Sequence, residues 1–156
     1  MVKGSFDFIV LNYYTANCVA DSPKLKAASK TSYSTYSRVN LSTERDGIPI
    51  GSQTAGSDWL YVYPRGPRDL LLYTKRKYNN PLVYITENGV YQVNNDTLSP
   101  KKVLADNYRI DYHLQHLASL KSAIKAGTNV QRYFARSLLD AFEWSYGYTA
   151  SLASTL

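Results

Sequence analysis

Two glutamates stand where chemistry can gather. Glu87 follows the apolar run Leu82-Val83-Tyr84-Ile85 and precedes Asn88-Gly89, and Glu143 is followed directly by Trp144. Glycosidic bonds are cleaved by paired carboxylates, so a glutamate delivered at a strand end is a candidate nucleophile or general acid/base. A solvated or capping glutamate is the plainer use of the same residue. Glu143 beside Trp144 suits sugar recognition, because a carboxylate binds hydroxyls while an indole packs on the apolar face of a pyranose. The pair equally fits a core tryptophan next to a surface glutamate. Asn12 and Tyr14 stand at the end of an earlier apolar run.

Other groups carry less. His113 and His116 are three apart on a helical segment, a spacing that suits two metal ligands, but no third ligand is evident. They read as ordinary helix-surface histidines, and no metal is expected. Arg65, Arg68, Lys75, Arg76 and Lys77, interleaved with Tyr73 and Tyr78, form a basic cluster without a nucleic-acid motif, and read as a solvated helix exterior. The single cysteine, Cys18, excludes an internal disulfide framework and reads as a free thiol. No apolar run approaches the roughly 18 residues of a membrane span, and Met1 to Ser5 have no leader-like pattern. Neither nucleic acid nor membrane is an expected partner. Asn40-Leu41-Ser42 and Asn95-Asp96-Thr97 are sequons of a kind that arises often by chance.

These side chains need a scaffold. The 156 residues amount to about one domain, and 44% hydrophobic with 13% aromatic residues is enough for a core, at a net charge of +6. Phe6 to Asn12 reads as a strand buried on both faces of a parallel sheet. Thr15 to Asp58 has no sustained period and reads as one long irregular loop. Pro67 introduces a helix over Arg68 to Tyr78, and Leu82 to Ile85 is a second strand that delivers Glu87. Ser99-Pro100 predicts the start of a second helix, with Val103, Ile110, Leu114, Leu117 and Ile124 on its apolar face and Gly127 as its stop. Tyr133 to Leu139 reads as a third strand. This alternation implies parallel strands joined by right-handed crossovers, an α/β fold whose chemistry gathers at the C-terminal strand ends. Asn12, Tyr14, Glu87, Glu143 and Trp144 all fall there.

Ile85-Thr86-Glu87-Asn88-Gly89 resembles the nucleophile motif of family 1 glycoside hydrolases, the retaining β-glucosidases, especially plant-type members. Phe6-Asp7-Phe8-Ile9 with Asn12-Tyr13-Tyr14-Thr15 resembles the sixth strand of that family's barrel. Glu44-Arg45-Asp46-Gly47, Pro49-Ile50-Gly51 and Trp59 to Pro64 resemble the long loop that follows, and Leu138 to Trp144 the eighth strand and its sugar-binding tail. The resemblance implies a partial (β/α)8 TIM barrel, about strands six to eight with their helices, in one C-terminal portion spanning residues 1–156. It implies that Glu87 is the nucleophile, that Tyr14 supports it, and that Asn12, Trp59, Glu143 and Trp144 bind a small-molecule β-glucoside without a cofactor.

The chain also departs from that pattern. The family's acid/base glutamate lies in an Asn-Glu-Pro segment, and none occurs here. Arg136 stands where the family usually has a tryptophan platform under the sugar, Val10 and Arg132 where it has glycines, and Ala141 where it has asparagine. Residues 150–156 read as a divergent tail. A catalytically inactive piece that associates with itself or with a full-length homologue is the alternative reading, because three parallel strands leave pairing edges open.

Overall fold

A computed structural model describes residues 5–22, 30–55, 57–93, 97, 99, 101–102 and 105–153. Its elements are β1 (Phe8–Asn12), β2 (Cys18–Asp21), α1 (Tyr33–Ser37), β3 (Val39–Ser42), β4 (Glu44–Arg45), β5 (Ile48–Pro49), β6 (Ser52–Gln53) and β7 (Tyr61–Val62). There follow α2 (Gly66–Tyr78), β8 (Leu82–Glu87), β9 (Gln92–Val93), α3 (Asn107–Lys125), β10 (Val130–Tyr133), a 3₁₀ turn (Trp144–Tyr146) and β11 (Ala150–Ser151).

The scaffold is a three-stranded parallel sheet in the order β1-β8-β10. Side chains alternate across a strand, so Ile9, Leu11, Val83, Ile85 and Val130 share one face. There they pack with Leu71 of α2 and with Leu120 and Ala123 of α3. Each large apolar side chain buried this way is worth about 1.5–3 kcal/mol. The other face is open: Phe8 is 50% exposed and Val10 54%. The reading of the first strand as buried on both faces is therefore corrected. That face is the one a closed barrel fills with side chains from the opposite strands, and three strands do not enclose it.

α2 forms where the sequence places it. Proline lies in its first turn, Asp69 is near its N-terminus and Lys75, Arg76 and Lys77 lie near its C-terminus, in keeping with the helix dipole. Its basic cluster is used in local pairing: Arg65 reaches Asp69 at 2.9 Å, and Lys75 donates to the Ala126 carbonyl at 2.7 Å, tying α2 to the end of α3.

Lys101 and Lys102 are helical, with the Lys102 amide donating to the Ser99 carbonyl at 2.8 Å, in keeping with a start at Ser99; α3 itself starts separately at the Asp106 cap, whose side chain accepts from the Arg109 amide, and Pro100 and Val103 lie outside the described residues. Three other expectations are corrected. The buried face of α3 is Arg109, Tyr112, His116, Leu120 and Ala123, while Ile110, Leu114, Leu117 and Ile124 are exposed. Helical spacing identifies an apolar stripe but not what covers it. Gly127, at φ +83°, ends the helix as anticipated.

The described residues between Thr15 and Asp58 include α1 and antiparallel ladders, β2 with β3, β4 with β5, and β6 with β7 beyond Asp58. These ladders of two to four residues are too short to show a period, although Asp46-Gly47 is a hairpin signal and both residues have positive φ. The third strand is Val130–Tyr133, earlier than Tyr133 to Leu139, because it follows Val83 to Ile85 of β8 and then turns away.

The tail is part of this structure as far as Ala153. Ala150 and Leu152 enter a second core with Leu60, Val90, Tyr91 and Tyr112. Buried Arg109 holds the segment by donating to the Ser151 carbonyl at 3.0 Å while pairing with Asp106 at 2.6 Å. Asp140 accepts from the amides of Leu152 and Ala153.

Candidate active site

The C-terminal ends of the sheet open into a cleft of about 560 Å³. Asn12, Tyr14, Trp59, Glu87, Glu143 and Trp144 all line it, joined by Asp58, Tyr91, Arg136 and Tyr146. Glu87 is placed by β8 and faces Asn12 across the β1–β8 ladder, where a bulge shifts the register after Leu11. The Thr86 hydroxyl donates to Asn12 Oδ1 at 2.6 Å, and the Tyr13 amide to the Glu87 carbonyl at 2.9 Å. The Tyr14 hydroxyl donates to Glu87 Oε2. Burial first, and then this bond to a carboxylate, push the Tyr14 phenol well above its ordinary value, so it stays protonated and remains a donor.

Glu143 enters from the other side. It is only 1% exposed and sits in a tight turn where its amide donates to the Gly147 carbonyl at 2.8 Å and its carbonyl accepts from the Tyr146 amide at 2.7 Å. Its charge is met by Arg136, whose Nη2 lies 2.7 Å from Glu143 Oε1 while Nη1 lies 3.6 Å from Glu87 Oε1. Burial opposes the guanidinium charge, but the bond to Glu143 and the surrounding acidic groups outweigh it and hold the Arg136 pKa above its usual value. Trp59 stands at the rim with edge contacts to Tyr14 and Tyr91 at 6.2 and 6.1 Å. Trp144 is 85% exposed, and Tyr146 donates to Asp58 at 2.6 Å. The Tyr91 phenol is raised by burial and then by Glu143.

Behind Glu87 lies a support that the sequence reading missed. Asn88 is fully buried and donates to the Tyr13 carbonyl at 2.8 Å and the Tyr112 hydroxyl at 2.9 Å, while accepting from the Tyr133 hydroxyl at 2.8 Å. Tyr133 in turn contacts His113 Nδ1 at 2.8 Å. His116 is not on the surface: it stacks on Tyr112 with ring centres 3.9 Å apart and donates from Nδ1 to the Tyr112 carbonyl. Burial lowers its pKa to about 4 against the opposing pull of that carbonyl. Burial, and then Arg109, also lower His113. Among the described residues no cluster of three His, Cys, Asp or Glu side chains suits a metal.

Two glutamates, an arginine and an aromatic wall thus gather at the C-terminal ends of a parallel α/β sheet, where α/β barrels carry their chemistry. The glycosyl hydrolase family 1 model matches residues 1–152, and the chain belongs to that family. It is 60% identical over 149 residues to β-glucosidase 12 of Oryza sativa, covering 96% of this chain and 29% of that protein. It is 48% identical to raucaffricine-O-β-D-glucosidase of Rauvolfia serpentina, covering 95% of this chain and 27% of the relative. Among solved structures, the rice β-glucosidase Os3BGlu6 superposes with a TM-score of 0.88 at 40% identity, over 97% of this chain and 32% of that one. The chain thus spans under a third of the length of the relatives it matches, and its sheet is a segment of their barrel.

Proposed function

We propose that this chain carries the nucleophile and part of the glucose subsite of a retaining β-glucosidase. The observation that supports this most strongly is the convergence of Tyr14, Glu87 and Glu143 in one cleft at the C-terminal ends of β1 and β8. In this reading a Glu87 oxygen attacks the anomeric carbon as the bond to the aglycone oxygen breaks, giving a glycosyl-enzyme that water then hydrolyses. Tyr14, with Asn12 beside it, aims the carboxylate and donates to the oxygen that does not attack. Glu143 and Trp144 hold sugar hydroxyls and the ring face, and Trp59 walls the aglycone side. No cofactor takes part. The proton for the leaving oxygen comes from an acid outside the motifs of these 156 residues, since they contain no Asn-Glu-Pro segment.

A second reading is favoured by a separate observation. Both outer edges of the sheet are unpaired among the described residues, and α3 exposes an apolar row. In this reading the chain is inactive alone and associates with a homologous barrel or a second copy of itself.

The two part company on one experiment. The protein is incubated with a 2-deoxy-2-fluoro-β-glucoside bearing a dinitrophenyl group, which leaves without an acid, and analysed by intact-mass spectrometry and peptide mapping. An adduct on Glu87 that is absent from Glu87→Gln supports the enzymatic reading for the chain alone. No adduct, while an intact homologue labels, supports the second.

A further inference from the structure

We propose that Arg136 is an ion-pair lock across the sugar subsite, a specificity-determining residue that competes with neutral sugar hydroxyls for Glu143. The proposal rests on the reading of this cleft as a glucose subsite. Three observations carry it.

The guanidinium spans both carboxylates, at 2.7 Å from Glu143 and 3.6 Å from Glu87, and approaches Glu87 on the oxygen that Tyr14 does not hold. Both oxygens of Glu87 and one of Glu143 are thereby engaged from within the protein. Next, Glu143 is 1% exposed, so its charge requires a partner, and the charge-assisted bond to arginine is roughly twice as strong as a neutral one. A neutral hydroxyl arriving at Oε1 has to displace it. Finally, the backbone on either side of the guanidinium is anchored. The Arg136 amide donates to the Asn88 carbonyl and the Ser137 amide to the Leu152 carbonyl, both at 2.9 Å. A side chain at Gly89 would collide with the Arg136 carbonyl oxygen, so only glycine permits this approach. The lock is therefore fixed to the same strand end that presents the nucleophile.

Lysine is the discriminating substitution. It keeps one positive charge near Glu143, but as a strongly hydrated point charge on a flexible stem it cannot be held by two carboxylates as a planar fork is, so a sugar hydroxyl displaces it readily. Tryptophan removes the charge and supplies a stacking face. The two tryptophans, Trp59 and Trp144, give indole N–H signals that report ligand at both walls of the cleft.

Titration with methyl β-D-glucoside, followed by these signals, is expected to give at least ten-fold tighter binding to Arg136→Lys and Arg136→Trp than to the wild type, and Glu143→Gln in the Arg136→Lys background should abolish the gain. Independently of any ligand, guanidinium N–H resonances that disappear in Arg136→Lys should exchange slowly in the wild type and fast in Glu143→Gln. Guanidinium signals that average like those of free arginine overturn the lock, as does glucoside binding that is no tighter in the lysine variant. If no variant binds the glucoside while the guanidinium is held, the glucose reading of the cleft fails, and the ion pair stands without its competition against sugar.

Discussion

At the level of single residues, Asn88 binds more of the site together than either glutamate beside it. Its amide joins β1 through the Tyr13 carbonyl, α3 through Tyr112 and β10 through Tyr133. Asn88→Ala leaves those buried groups unpaired at roughly 1–3 kcal/mol each, partly shared because they form one network. Urea unfolding should therefore show a loss of roughly 2–4 kcal/mol for Asn88→Ala, and a smaller one for Tyr133→Phe, which removes one arm of the hub together with the contact to His113 Nδ1. An alanine variant within experimental error of the wild type would refute the hub. The sequence displays Glu87 clearly, since an apolar run ending in a carboxylate and a familiar pentapeptide both point to it. It displays Asn88 only as a neighbour in that pentapeptide, because its three partners lie 24 to 75 residues away. Arg136 is similar: its type is visible as a departure from the family, but its partners depend on the turn that brings Glu143 back.

At the level of elements, β1, β8 and α2 were legible because their signals are local. Continuous apolar runs mark β1 and β8, and proline with flanking charges marks α2. The face of α3 was not legible, because its buried stripe carries Arg109, Tyr112 and His116, residue types that read as polar. That buried stripe has a pH consequence. His116 is held neutral, with its pKa lowered from 6.5 to about 4 by burial, so the unfolded chain binds a proton that the native state refuses. The stability this neutral histidine permits is fully present above the unfolded value and is lost as pH falls from about 6.5 toward 4, by on the order of 3 kcal/mol. His113 adds in the same direction. Carboxylates titrate at the lower end of this window, so the readout is a difference: denaturant midpoints between pH 7 and pH 4.5 should fall further for the wild type than for His116→Phe. Equal falls would mean that His116 titrates as an exposed histidine does.

At the scale of the whole molecule, the pattern of exposure is that of a barrel segment. Among the described residues, Phe8 and Val10 on the inner face are half-exposed, both sheet edges are open, and Ile110, Leu114, Leu117 and Ile124 form an exposed row on α3. Open parallel edges and apolar faces of this kind are normally covered. The relatives have some 70% of their length outside the matched region, and the closed barrel they share is what covers such faces. The complementary portion of β-glucosidase 12 from rice, expressed without its own matching segment, is therefore the partner of choice for this chain. Co-expression should give a co-purifying complex that cleaves a nitrophenyl β-glucoside, with Glu87→Gln abolishing turnover and leaving the complex intact. Leu114→Lys with Leu117→Glu should weaken co-purification if the α3 row lies in the contact, while leaving the cleft untouched. A complex that forms but does not turn over, and becomes active with Arg136→Trp, would place the defect in the sugar subsite. Failure to form any complex would show that these faces are not competent to close a barrel from two chains.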